Sequence, residues 1–169
     1  EFRRVLFRSD KNLTLLSEEK VPLGYGIRHL VFSKGGRYIY AVNELVPSIS
    51  VFAYQNGKAK LMSTVKIDCQ NEKANGAAIR LSDDGKYLYI SLREENEIRV
   101  YAVNGQKLIH MQTVDCAGDS PRDFNIVEDK LIVTNEKSNN VVVYALKEGL
   151  IDKKVSEIKI PKPLCCVVE

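Results

Sequence analysis

The sequence has no CxxC pair, no apolar run near the ~20 residues of a membrane helix, no long stretch of helical period and almost no surplus charge. Each absence removes a class of function. Without CxxC spacing the four cysteines (Cys69, Cys116, Cys165 and Cys166) read as reduced thiols of a cytoplasmic protein, not as a zinc site. Cys165 and Cys166 are adjacent, so in a strand they would point to opposite faces. The net charge is +3, and Arg3, Arg4 and Arg8 against Glu1 account for two of these charges. The remainder gives no electrostatic case for nucleic acid or a membrane as partner. Asp83, Asp84, Asp119 and Asp123 fall in turns without EF-hand spacing, and no glycine loop of nucleotide-binding type occurs. Neither a metal nor another cofactor is therefore expected, and no secretory segment with a cleavage site is evident.

Residues 1–9, EFRRVLFRS, match in all nine positions a forward translation of a widely used short-read sequencing adapter. They are set aside as an artefact, and residues 10–169 are read as the protein. The natural chain is expected to extend further upstream.

What is present is a repeat. Gly36–Glu44 followed by Ile49–Phe52, Gly85–Arg93 followed by Ile98–Tyr101, and Leu131–Glu136 followed by Val141–Tyr144 are three copies of one pattern. Asn43, Leu92 and Asn135 occupy the same place in each, at intervals of about 40–50 residues, the length of a four-stranded propeller blade. Within each copy a glycine turn precedes an aromatic and β-branched strand, and a polar turn leads to an alternating third strand. Asn56-Gly57 and Asn104-Gly105 are hairpin signals. The fourth strands are expected at Ala59–Ile67, Lys107–Asp115 and Val155–Ile160. Leu13–Pro22 reads as the outer strand of a preceding blade and Leu164–Val168 as the inner strand of a following one. The fold class is all-β, a partial β-propeller of three nearly whole four-stranded blades with partial flanking blades. Such an open arc exposes apolar flanks and is expected to be unstable and inactive alone.

Gly26–Ser33 with Tyr40–Leu45 resembles the GPRHxxFxPDG…YxVNEL segment of the seven-bladed lactonase (6-phosphogluconolactonase) family. Pro121–Phe124 is similar to that family's PRDF segment, and Asn139–Tyr144 with Gly149-Leu150 to its NVxVF…GLL segment. The resemblance covers about residues 12–169. It implies a seven-bladed parent that hydrolyses 6-phosphogluconolactone to 6-phosphogluconate in the pentose phosphate pathway. It also implies that about half of the domain, with a histidine-bearing blade, lies upstream. Some relatives act on muconate-type lactones, so family does not fix the substrate, and a non-catalytic scaffold for protein binding is the remaining alternative. The expected partner is a small sugar-phosphate lactone. Oligomeric state is left open.

Lactone hydrolysis needs an activated water and a stabilised oxyanion, and a phosphorylated substrate needs fixed positive charge. Arg28 and Arg122 fall at equivalent places at the start of inner strands, where they either bind phosphate or the lactone carbonyl, or make blade–blade salt bridges. Glu44 is the candidate general base, its alternative a turn carboxylate paired with an arginine. His29 is a candidate acid or base, or packs beside Arg28, and strand alternation turns it to the face opposite Arg28. Arg93 either lines the channel or pairs with Glu94 or Glu95. Asn43 is expected to fix its turn, and His110 to lie on the surface. Arg80 stands where the family shows histidine and Leu92 where it shows asparagine, and Arg80 is a candidate for added phosphate affinity.

Overall fold

A computed structural model describes residues 3–9, 13–71 and 73–167; Glu1, Phe2 and Val168, which the sequence reading also assigned, lie outside them. Each repeat folds as one antiparallel meander. β1 (Arg3–Ser9) and β2 (Leu13–Lys20) form a two-stranded pair. The first four-stranded sheet is β3 (Ile27–Phe32), β4 (Tyr38–Asn43), β5 (Ser48–Gln55) and β6 (Lys58–Lys66). The second is β7 (Gly76–Leu81), β8 (Tyr87–Leu92), β9 (Glu97–Asn104) and β10 (Lys107–Asp115). The third is β11 (Pro121–Val127), β12 (Lys130–Asn135), β13 (Asn140–Lys147) and β14 (Leu150–Lys159). In all three, sequence order is spatial order, and no helix occurs among the described residues.

The second strand of each sheet is the most buried. β4 and β8 bury five of six residues, because both of their faces are covered by neighbouring sheets. This is why YIYAVN and YLYISL are nearly continuous apolar runs, whereas the outer strands β6 and β10 hold only half-buried and exposed positions. The core lies between sheets. Tyr40, Val42 and Val51 of the first meet Ile79, Leu88, Ile90 and Tyr101 of the second. Tyr89 and Val100 of the second meet Phe124, Leu131, Val133 and Tyr144 of the third. Burying one such aliphatic side chain contributes about 1.5–3 kcal/mol, so each sheet depends on its neighbours.

Hydroxyl groups lock successive sheets together. Tyr40 donates to the Gly105 carbonyl at 2.7 Å and Tyr89 to the Gly149 carbonyl at 2.7 Å, in the hairpins that open the outer strands of the following sheets. β2 does the same to the first sheet, through Ser17 Oγ on the Gly57 carbonyl at 3.0 Å.

Two boundaries differ from expectation. β14 begins at Leu150, five residues before the expected Val155, because Glu148 (φ 52°) and Gly149 (φ 80°) form a tight hairpin turn with glutamate in the place of the usual asparagine. Residues 164–167 are irregular rather than a paired strand. They still lie along the third sheet, where the Cys166 amide donates to Asp123 Oδ2 at 3.3 Å.

Every inner strand carries a β-bulge at the same register. Ile27, Gly76 and Pro121 pair with the last residue of the next strand (Asn43, Leu92 and Asn135), and the ladder then slips by one residue. The extra residues are Arg28 in β3 and Arg122 in β11; Ala77 holds the corresponding place in β7, where Ala78 is also out of the ladder. A bulge frees one residue from the ladder and re-aims its side chain.

Candidate functional site

Antiparallel order brings the bulges, the turns after the second strands and the blade-to-blade connections to one end of the sheets. The residue after each second strand is fixed there by its amide: Glu44 donates to Gly26, Arg93 to Asn75 and Glu136 to Ser120, at 2.7, 3.0 and 3.0 Å. Two tiers of side chains result. One holds Arg28, Ala77 and Arg122 on the bulges, and the other holds Glu44, Arg93 and Glu136 on the turns.

Contacts run both within and between the tiers. Arg93 Nη2 lies 2.6 Å from Glu44 Oε1 and so links the second sheet to the first. Arg122 Nη1 lies 2.9 Å from Glu136 Oε2 within the third. Arg28 Nη1 donates to the Ala77 carbonyl at 2.6 Å, crossing from the first sheet to the second. Burial, and after it the Arg93 cation, push the Arg28 guanidinium below its ordinary value; Arg122 adds to this, while Glu44 and Asp123 oppose it. Glu44, Arg93, Arg122 and Asp123 are thus all within electrostatic reach of Arg28. Among the described residues, the buried Nε of Arg93 has no hydrogen-bond acceptor.

Arg28 and His29 share a side of the strand. Arg28 Nη1 sits 3.2 Å from His29 Nε2 and 3.4 Å from Nδ1. Strand alternation predicts opposite faces, and the bulge at Arg28 overturns that expectation by inserting a residue between the two paired positions. Arg93 pairs with Glu44 and not with Glu94 or Glu95. Glu95 instead accepts the Asn71 amide at 2.6 Å, and Glu94 accepts from Asn75 at 3.0 Å. Asn43 is buried and bonds Ser48 and Ser50 at 2.9 Å each, a structural role. His110 is exposed, with Thr113 as its partner at 2.9 Å.

Arg80 lies further along β7, where its Nη2 meets the buried Asp123 Oδ1 at 2.9 Å. Its charge is engaged by that carboxylate. Asp123 therefore ties β7, β11 and the chain at Cys166 together. Asp123, read from the sequence as a turn carboxylate, lies instead within β11, paired with Thr134. Glu136 was not singled out from the sequence, although it follows Asn135 as Glu44 follows Asn43, so the repeat itself marks it.

The sequence profile of the family described as "Lactonase, 7-bladed beta-propeller" matches residues 4–168. The chain belongs to the seven-bladed lactonase family. Among the family's curated members, a 6-phosphogluconolactonase of Formosa agariphila is 33% identical over 169 residues, covering 92% of this chain and 47% of that protein. A crystal structure of a Lactobacillus plantarum protein superimposes with a TM-score of 0.85 at 32% identity, covering 91% of this chain and 48% of the other. The periplasmic gluconolactonase of Pseudomonas aeruginosa gives a TM-score of 0.82 at 27% identity, over 87% of this chain and 43% of the other. The chain spans about half the length of such relatives or slightly less.

Proposed function

We propose that the whole protein hydrolyses a sugar-phosphate lactone, taking 6-phosphogluconolactone to 6-phosphogluconate in the pentose phosphate pathway of the cytoplasm. The observation that carries this reading is the Arg93–Glu44 pair at 2.6 Å, with Arg28 within electrostatic reach of both and of Arg122 at the same end of the arc. Family membership supplies the reaction class and the 6-phosphogluconolactonase relative the substrate; four unpaired thiols favour the compartment.

Each part has a chemical task. Arg28 and Arg122 present planar, permanently charged donors to the phosphate or to the oxygen that becomes the oxyanion. Arg93 orients the Glu44 carboxylate through Oε1, and Oε2 takes a proton from the attacking water. Water adds to the lactone carbonyl, the tetrahedral intermediate collapses with cleavage of the ring C–O bond, and the ring oxygen leaves as the sugar hydroxyl after protonation. His29, against Arg28 at the bulge, is placed to supply that proton.

The test is recovery of the full-length gene and assay of its product with 6-phosphogluconolactone and, in parallel, a muconate-type lactone. Hydrolysis of the first, reduced about 10²-fold or more in Arg122→Ala, is expected. An unchanged rate in Arg122→Ala removes that residue from the site. Turnover of neither lactone overturns the reading.

A further inference from the structure

We propose that Ala77 is a positioning residue that holds Arg28 ready for an anionic ligand, an inference that rests on the functional reading above. Ala77 occupies in β7 the bulge place that Arg28 and Arg122 occupy in β3 and β11. The bulge changes the bonding of the strand around it. The Ala78 amide donates to Ser91 Oγ at 3.0 Å, and the Ala77 carbonyl accepts Arg28 Nη1 at 2.6 Å.

Small residues make this reach possible. A Cβ on Gly76 would overlap the carbonyl oxygen of Asn43, so β7 is pressed against the end of β4. Ala77 and Ala78 are fully buried behind it. A third arginine at position 77 would set another cation beside Arg28 and Arg93, and a bulkier apolar side chain would compete for the same closed space. Alanine supplies a carbonyl and little else. The carbonyl accepts from one guanidinium nitrogen, which His29 also approaches, and helps to fix the guanidinium plane. A guanidinium anchored before binding loses less freedom when an anion arrives.

The test uses the full-length protein titrated with inorganic phosphate by calorimetry, beside the lactone assay. Ala77→Val, whose added methyl groups displace the buried bulge and with it the carbonyl that anchors Arg28, is expected to weaken phosphate binding about tenfold. In an Arg28→Ala background the same substitution is expected to change binding less than about twofold, because its effect passes through Arg28. An equal loss in both backgrounds assigns the effect to general packing and overturns the proposal, as does unchanged affinity in Ala77→Val. Should valine unfold the protein, side-chain nitrogen NMR of the wild type decides. Resolved, slowly exchanging Arg28 Nη signals support the proposal and one averaged signal overturns it. A wild type that hydrolyses the lactone while Ala77→Val stays at wild-type affinity refutes this inference alone. A wild type that neither hydrolyses it nor binds phosphate removes the functional reading and this inference together.

Discussion

Arg93 Nη2 and Glu44 Oε1 stand 2.6 Å apart although 49 residues separate them in the chain. They occupy the same place in successive repeats, and the opposite charges meet because each repeat is a wedge around a shared axis. The Arg93 side chain is 15% exposed and the Glu44 side chain 36%, so the pair is fixed by its setting yet still reached by solvent. A pair this exposed contributes only about 0.2–1 kcal/mol to stability. Its importance is geometric, since Arg93 reaches from the next blade to orient Glu44, the turn carboxylate of the blade that carries Arg28.

Glu44→Gln in the full-length protein keeps the shape of the side chain and removes its capacity as a base. Its kcat is expected to fall by about 10²-fold or more with little change in thermal stability. Steady-state kinetics alongside a melting curve check this. Wild-type kcat in the variant would assign the base to another group.

Gly149→Ala is expected to be among the most damaging single changes in this half of the propeller. Its Cβ would overlap the Tyr87 ring, and its φ of 80° disfavours any side chain. Overpacking and left-handed backbone together cost about 3 kcal/mol. Gly36→Ala, at φ 66° with nothing within 4 Å of the new atom, is expected to cost only about 1 kcal/mol. Urea midpoints of the two variants separate the packing contribution from the backbone contribution.

Tyr40→Phe and Tyr89→Phe each remove one hydroxyl that bonds a hairpin carbonyl of the next blade at 2.7 Å. Each is expected to cost about 1 kcal/mol, and the double variant about the sum, because the two bonds share no partner. A double variant no weaker than either single one would show that the blades do not separate independently.

Thiol reactivity follows burial. Burial pushes the Cys116 thiol up to about 12, and the Cys69 and Cys166 thiols up to about 11, while Cys165 is exposed. A disulfide reagent at pH 8 is therefore expected to modify Cys165 first and Cys116 only on unfolding. The same shifts fix a pH dependence. An unfolded thiol ionises near the ordinary ~8.5, whereas the folded ones stay protonated. This contribution to stability is complete below about pH 8.5 and is lost as pH rises toward about 11 to 12. Alkaline titration of the melting temperature measures it, and a temperature independent of pH over that range would contradict it.

The architecture was legible because it is written three times. Two of the hairpin turns, Asn56-Gly57 and Asn104-Gly105, announced themselves by composition, and the third was hidden only because Glu148 takes the asparagine place. Most of the candidate site came from resemblance at Arg28, Glu44, Arg93 and Arg122. The orientation of His29 was not legible. Alternation assumes an unbroken ladder, and a bulge leaves no mark in composition when its extra residue is arginine in one copy and alanine in another. Nor could the sequence name the partner of Arg80 or Arg93. Those pairings depend on the angle between adjacent sheets, which no local pattern encodes.

The slip in the ladder at Arg28, Ala77 and Arg122 gives each sheet a socket whose contents are nearly independent of the scaffold that holds it. An arginine and an alanine already sit in the same socket, and in each sheet the ladder resumes beyond it slipped by one residue. New chemistry could thus be acquired one blade at a time, by exchanging a single plug-in group, without renegotiating the fold.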